Sequence, residues 1–135
     1  MRVFVDTSYY IARIIPRDQW HRPACKAVKP GMIFFTSSLV INEVVSLLQS
    51  RGYLSAALVF LERMRRSSNV QIIYPDPTAQ ATGWDLFNKW GGGGANAVDC
   101  VSFAIMSSLG IRTAFTFDQH FRAAGFTILA AKRKS

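Results

Sequence analysis

Short apolar segments alternate with helical segments along the whole chain. Five segments are rich in apolar, β-branched and aromatic residues, which is typical of buried strands. They are residues 2–5, 32–36, 70–74, 112–116 and 126–129. Between them, apolar positions recur at helical spacing, as at Val40, Val44, Leu47 and Leu48. This alternation predicts an α/β fold with a central, mainly parallel sheet and helices on both faces.

Capping and helix-breaking residues set the bounds of the predicted helices. These span residues 7–15, 18–29, 39–51, 54–66, 77–90, 97–108 and 118–123. Asp6 or Thr7 can cap the first helix and Asn96 the sixth. The fourth helix has Leu58, Leu61 and Met64 as its apolar side, and Gly91–Gly94 is interpreted as a flexible linker. With no repeat or internal boundary, we expect a single domain over 1–135 that ends in a frayed basic tail at 130–135.

Composition narrows the class of protein. The chain has 135 residues, half of them hydrophobic, which fits one folded domain rather than a disordered chain. No apolar run approaches the roughly 18 residues of a membrane span, and the segment from Met1 to Asp6 has a charge where a signal peptide would have its apolar stretch. Cys25 and Cys100 form no disulfide framework and are interpreted as buried thiols. We therefore expect a cytoplasmic protein that does not enter a membrane.

The charge balance points to a polyanionic partner. The chain has sixteen Lys and Arg residues and eight Asp and Glu residues, which gives a formal net charge of +8. Arg13 and Arg17 lie along the first two helices, where they form either an RNA-binding edge or an ordinary solvated face. His120 lies two residues from Asp118 and either contacts a substrate phosphate or packs at the surface.

Four acidic residues lie where a parallel sheet would gather them. Asp6 directly follows the first strand, and Asp118 lies two residues beyond the fourth. Glu43 lies in the helix after the second strand, and Asp99 opens a late helix. Functional groups of such sheets meet at the carboxyl ends of the strands. Their flanks are apolar, so a carboxylate cluster there needs a counter-charge, and Mg²⁺ or Mn²⁺ supplies it.

Each acid also has a structural alternative. Asp6, Asp99 and Asp118 stand at or near helix starts and can act as caps. Glu43 in mid-helix can face solvent. The joint placement of the four, rather than any one of them, favours a metal site.

Four short motifs carry a family resemblance. They are Val5-Asp-Thr-Ser8, Asn42-Glu-Val-Val45, Ala97-Val-Asp-Cys100 and Phe115-Thr-Phe-Asp-Gln-His-Phe121. In order and spacing, and over essentially the whole chain, the sequence resembles PIN-domain ribonucleases, in particular VapC-type toxins of toxin–antitoxin pairs. The glycine-rich segment before Asp99 departs from the charged or polar segment often found there in this family.

The resemblance implies a PIN-like three-layer domain and an endoribonuclease that depends on Mg²⁺ or Mn²⁺ and hydrolyses RNA phosphodiesters through a metal-activated water. Asp6, Glu43, Asp99 and Asp118 would form the catalytic and metal-binding cluster, and the hydroxyls of Thr7 and Thr116 would support it. A cognate antitoxin and a homodimer are the implied protein partners. Two alternatives remain open from the sequence: a nuclease of the same fold that acts in RNA maturation, and a non-catalytic RNA-binding domain.

Overall fold

The fold is a parallel sheet with helices on both faces, as predicted. The structure is a computed structural model that describes residues 1–129, so the predicted tail at 130–135 lies outside the described residues. The strands are β1 (Arg2–Val5), β2 (Ile33–Ser37), β3 (Val70–Ile73), β4 (Thr113–Phe115) and β5 (Thr127–Ile128). The helices are α1 (Thr7–Ile14), α2 (His21–Lys26), α3 (Ser38–Ser50), α4 (Leu54–Arg66), α5 (Pro77–Trp90), α6 (Ala97–Leu109) and α7 (Gln119–Ala123).

The strand order places a cleft beside β1. Within the described residues, the five strands pair in parallel in the order β3-β2-β1-β4-β5. Strands β2 and β3 lie on one side of β1, and the chain then crosses to the other side of β1 to form β4 and β5. Connections therefore leave β1 and β4 toward opposite faces of the sheet, and this divergence opens a crevice at their carboxyl ends.

The helices pack in two groups, because the connections between strands run along opposite faces of the sheet. Helix α1 packs against α2 and α3, and α3 packs against α4, while α5, α6 and α7 form a second packed set. The core between them and the sheet is apolar, with β1 nearly inaccessible from Val3 to Val5. Helix α6 is buried along most of its length, from Asp99 to Met106. This rigid framework carries the site residues at its strand ends and helix starts.

Three local predictions were wrong. Helix α2 covers only His21–Lys26, and Cys25 on it is exposed rather than buried. On α4 the buried residues are Ala57 and Phe60, so Leu58 faces outward with 59% of its surface exposed. At both Cys25 and Leu58 the helix offers more than one apolar side, and packing on the neighbouring element selects which side is buried.

The glycine segment is ordered rather than a flexible linker. Gly91–Gly93 forms a single 3-10 turn that continues directly from α5, and Gly94 closes it with a φ of 104°. The turn is anchored from outside, because the carbonyl of Gly93 lies 3.0 Å from Nε2 of His120. Tertiary contact therefore gives this segment one conformation despite its composition.

Candidate active site

An open cleft of about 290 Å³ lies at the carboxyl ends of β1 and β4. The four predicted acids line it: Asp6, Glu43, Asp99 and Asp118. The sequence-based expectation that these four meet at one edge of the sheet is thus met by the geometry. Asp18, Trp20 and Arg51 line the same cleft and were not predicted.

Asp6 is held as a buried carboxylate at the end of β1. Its side chain is almost fully buried, with 2% of its surface exposed. Oδ2 accepts a hydrogen bond of 2.8 Å from the Thr116 hydroxyl and one of 3.3 Å from Ser8. Oδ1 is buried with no hydrogen-bond partner among the described residues. Although Asp6 stands at the N-cap of α1, its side chain makes no capping bond, so this structural alternative does not hold.

Asp99 is both a helix cap and a member of the cluster. Its Oδ2 accepts a 2.9 Å hydrogen bond from the backbone N–H of Asn96, and Asn96 Oδ1 accepts one of 2.8 Å in return. This capping box fixes the carboxylate at the start of α6. The Asn96 amide also donates to Oε2 of Glu43 at 3.4 Å, which ties a third element to the site. Capping and clustering are therefore compatible functions of the same side chain.

Asp118 is connected to Asp6 through one hydroxyl. The backbone N–H of Asp118 donates to Thr116 Oγ1 at 3.0 Å, and that hydroxyl donates onward to Asp6. Oδ1 of Asp118 caps α7 by accepting a 2.9 Å bond from the backbone N–H of His120. The predicted supporting hydroxyl of Thr116 thus lies between two of the acids.

The second predicted hydroxyl is replaced by its neighbour. Thr7 lines the cleft, but its Oγ1 has no hydrogen-bond partner within the described part of the chain. Ser8 instead lies 3.0 Å from Thr116 Oγ1 and accepts a 3.0 Å bond from the backbone N–H of Phe117. The sequence did contain a signal, because Ser8 stands two residues after Asp6 at the start of a helix. Only the pairing of β1 with β4 shows which of the two hydroxyls turns toward Asp6.

Burial and neighbouring acids raise the pKa values of Asp6 and Asp99. Burial raises the pKa of Asp6 to about 6, and the nearby charges of Asp118 and Glu43 add to the rise. Burial, followed by the charge of Asp6, raises the pKa of Asp99 to about 7. The charged forms of Asp6 and Asp99 are thus destabilised by burial and by the other members of the cluster.

A divalent cation fits this arrangement. Among residues 1–129, no Lys or Arg side chain lies within salt-bridge distance of the four acids. Ligand atoms of Asp99, Asp118 and His120 lie within 4.8 Å of one another. Asp6 Oδ1 adds a buried oxygen that lacks a partner. A set of carboxylate oxygens in an open cleft is the donor type that hard divalent cations take.

The basic residues divide between two surfaces. Arg13 and Arg17 are exposed but do not line the acidic cleft. Arg13 donates to the carbonyl of Cys25 at 3.3 Å and, with Arg63, borders a groove between α1 and α4. Arg51, at the end of α3, lines the cleft itself. It stands two helical turns beyond Glu43, a spacing that the sequence offered as a signal.

The cleft also has an aromatic wall. The rings of Trp20 and Phe117 stack with centroids 5.0 Å apart and an interplanar angle of 7°. Both residues line the cleft beside the acids. The site therefore has a flat apolar surface next to its acidic side chains.

Comparison with known proteins identifies the family. The family model of the PIN domain matches residues 3–127, nearly the whole chain. The chain belongs to the PIN-domain family. Within it, the chain is 34% identical over 127 residues to the 23S rRNA-specific endonuclease VapC20 of Mycobacterium tuberculosis, covering 92% of this chain and 95% of that protein. The predicted PIN-type fold and the resemblance to VapC-type ribonuclease toxins are confirmed.

Solved structures agree with this assignment. The crystal structure of M. tuberculosis VapC20, described as a sarcin–ricin loop cleaving toxin, matches with a TM-score of 0.88 and 30% identity. That match covers 96% of this chain and 99% of VapC20. VapBC2 from Rickettsia felis, bound to a DNA fragment from its promoter, matches with a TM-score of 0.68 and 13% identity over 95% and 97% of the two chains. The second match shows a shared fold.

No helix among residues 1–129 is long and apolar enough to cross a membrane.

Proposed function

We propose that this PIN domain is a metal-dependent endoribonuclease that cleaves ribosomal RNA and acts as the toxin of a toxin–antitoxin pair. The observation that carries the proposal is the cleft in which Asp6, Glu43, Asp99 and Asp118 meet with no Lys or Arg partner among the described residues. The similarity to VapC20, a 23S rRNA-specific endonuclease, supports the substrate class. We propose further that residues 1–135 form a single domain.

The four acids would hold Mg²⁺ or Mn²⁺, with Asp6 and Asp99 as the principal ligands. Such a cation, when bound, supplies Lewis-acid chemistry that polarises the phosphodiester and makes water a better nucleophile. Thr116 and Ser8 hold Asp6 Oδ2, so that Oδ1, which has no hydrogen-bond partner in the described part of the chain, would be available to the cation. The capping box holds Asp99 in the same way. Because these side chains are fixed before substrate binds, little reorganisation is needed during the reaction.

Glu43 is the acid best suited to orient the attacking water. It is only half-buried, and its single described side-chain contact is the 3.4 Å bond from Asn96. Asp118, tied to Thr116 and to α7, would complete the cluster. This division of roles follows from how tightly each carboxylate is held.

The RNA would be bound by charge around the acidic cleft. Arg51 lines the cleft and can reach a phosphate next to the scissile bond. Arg13 and Arg17 lie farther along the surface and would contact more distant phosphates. The stack of Trp20 and Phe117 offers a wall for a base.

The protein partners follow from the toxin assignment and the exposed apolar surface. On α4, Leu54, Leu58 and Val59 are each more than half exposed. Apolar surface of this kind favours association, so we propose binding of a cognate antitoxin and formation of a homodimer. Because ribosomes are found in the cytoplasm, the proposed substrate class supports a cytoplasmic location.

Expression in a bacterial host tests the proposal. We expect growth arrest and cleaved ribosomal RNA with wild type and neither with Asp6→Asn, because the variant loses a principal metal ligand. Asp85→Asn is the matched control, since Asp85 is an exposed acid on α5 away from the cleft. Northern blotting and primer extension of 23S rRNA locate the cut.

Three outcomes separate the alternatives. Equal effects of wild type and Asp6→Asn would exclude the nuclease mechanism and leave a non-catalytic RNA-binding domain. Cleavage confined to precursor RNA, without growth arrest, would indicate RNA maturation instead of a toxin. Loss of cleavage with Asp85→Asn as well would show that the effect of Asp6→Asn is not specific to the acidic cleft.

A further inference from the structure

The ring of His120 is fixed between two acceptors. Nε2 lies 3.0 Å from the carbonyl oxygen of Gly93, and Nδ1 lies 2.5 Å from Oδ1 of Asp118. A carbonyl oxygen only accepts hydrogen bonds, so the hydrogen of a neutral imidazole must be on Nε2. Nδ1 then carries a lone pair and faces a carboxylate oxygen, which also carries lone pairs.

A positive charge between these two atoms removes their repulsion, and either a proton on Nδ1 or a bound metal ion supplies it. Nδ1 is shielded from solvent and has no hydrogen bond of acceptable geometry among the described residues. Asp99 contributes a third donor, since ligand atoms of Asp99, Asp118 and His120 all lie within 4.8 Å of one another. One ion can contact all three after small side-chain adjustments.

A buried orphan oxygen points to the same place. Asp6 Oδ1 has no partner in the described part of the chain, and its residue is only 2% exposed. It lines the cleft with Asp99 and Asp118. Burial of an unpaired carboxylate oxygen is costly, so this atom also indicates a cation in the cleft.

The glycine turn is shaped to anchor the imidazole. Histidines that bind metals usually donate the other ring N–H to a carbonyl or carboxylate, which fixes the ring and its tautomer. The carbonyl of Gly93 stands where that acceptor is needed. A Cβ on Gly94 would come within 2.8 Å of Nε2, so only glycine at this position lets the ring approach.

We propose that Nδ1 of His120 is a ligand of the divalent cation, beside Asp99 and Asp118. This inference rests on the proposed function, because it adds a nitrogen ligand to the metal site of that function. It also replaces the expectation that His120 contacts substrate phosphate. A nitrogen donor favours a transition ion such as Mn²⁺ over Mg²⁺, which strongly prefers oxygen ligands.

Pulsed electron paramagnetic resonance of the Mn²⁺ complex tests this directly. Tag-free wild type, loaded with one equivalent of Mn²⁺ in a mildly alkaline buffer, should show the coupling of a directly bound nitrogen. His120→Gln should lose that coupling and bind Mn²⁺ about tenfold more weakly, with a smaller change for Mg²⁺. His21→Gln is the matched control, because it changes the other histidine, whose Nδ1 pairs with the carbonyl of Ala12.

The outcomes are distinguishable. Mn²⁺ that binds to wild type without nitrogen coupling would overturn the inference and leave the proposed nuclease function intact. Coupling lost in His21→Gln and kept in His120→Gln would also overturn it. Wild type that binds no Mn²⁺ would refute the metal dependence in the proposed function, and this inference with it.

Discussion

At the scale of single residues, the carboxyl groups of Asp6 and Asp99 oppose folding and enable function. Their raised pKa values, about 6 and about 7, mean that the folded protein holds protons that the unfolded chain has released. Removing those protons buries unpaired charge, which a cation would neutralise. Stability and activity therefore respond to pH in opposite directions.

The metal-free protein should lose stability as pH rises. Between the unfolded pKa of 3.8 and the folded values of about 6 and about 7, the native state binds more protons, so its free energy of unfolding falls. Asp6→Asn removes part of this decline and should stabilise the metal-free protein by about 2 kcal/mol above neutral pH. Denaturant unfolding in a chelator, over a pH series, measures the difference between variant and wild type. A constant difference across the series would contradict the assignment.

Metal binding should show the reverse trend. Protons compete with a cation for the same carboxylates, so Mn²⁺ affinity should rise as pH passes through the range of about 6 to about 7. Calorimetric titration of the wild type checks this, and affinity that is independent of pH in this range would contradict it.

Thr116 should matter through its hydroxyl alone. Thr116→Val keeps the shape but removes the bonds to Asp6 and from the backbone of Asp118, so cleavage should slow by about 10–100-fold while the fold persists. Thr127→Val is the control, since Thr127 is exposed on β5, away from the cleft. Purified variants assayed on ribosomes give the rates, and equal rates for both would show that the hydroxyl does not position the acids.

At the scale of elements, the close approach of α5 and α6 is the tightest feature of the second helical layer. Gly83 is buried on α5, and a Cβ there would lie 2.5 Å from Cγ2 of Val101 and 2.9 Å from its Cα. Because one of these two atoms belongs to the backbone of Val101, it cannot move away easily. The absence of a side chain at Gly83 thus sets the separation of the two helices and, through α6, the position of Asp99.

Gly83→Ala should destabilise the protein despite the better helix propensity of alanine. Overpacking should outweigh the gain in propensity and leave a net loss of about 1–2 kcal/mol. Gly92→Ala is the matched control, because nothing lies within 4 Å of its added Cβ. Denaturant midpoints compare the two variants. An unchanged midpoint for Gly83→Ala would mean that the helices separate freely.

Prediction of the elements from sequence succeeded where local signals were strong. The bounds of α5 match because Asp76 caps it and Pro77 follows at the first helical position. The start of α6 matches because Asn96 and Asp99 form a capping box. The prediction of a flexible linker at Gly91–Gly94 was wrong. A run of glycines indicates backbone freedom, but the contact with His120 removes that freedom in the folded protein.

At the scale of the whole molecule, a chain of net positive charge carries an acidic cleft. The net charge of +8 includes the four site acids, so the rest of the chain carries a larger excess of Lys and Arg. Such a distribution attracts RNA through counterion release. A cation in the cleft would then remove the local repulsion between the acids and the scissile phosphate.

RNA binding should weaken steeply with salt, and Arg51 should contribute to the slope. With Asp6→Asn as a cleavage-inactive background, Arg51→Ala should reduce the slope of log affinity against log salt by about one. Arg112→Ala is the control, because Arg112 precedes β4 at the opposite edge of the sheet from the cleft. Fluorescence anisotropy with a labelled RNA loop gives the slopes. Equal slopes for the two variants would exclude a phosphate contact by Arg51.

The architecture and the four acids follow from the amino-acid sequence alone. Alternating periodicity requires a parallel sheet with helical crossovers, and in such a sheet residues that follow strands must meet at one edge. Asp6 and Asp118 can be assigned in this way because their distance from a strand end is a local property of the chain.

The neighbours that complete the cleft are set by tertiary packing. Ser8 rather than Thr7 turns toward Asp6, and Arg51 and the Trp20–Phe117 stack enter the same cleft from separate elements. His120 meets Asp118 on one side and Gly93 on the other. These contacts depend on how each helix is rotated about its axis and on which strands pair. Packing across the core decides both, and neither produces a periodic pattern in the sequence.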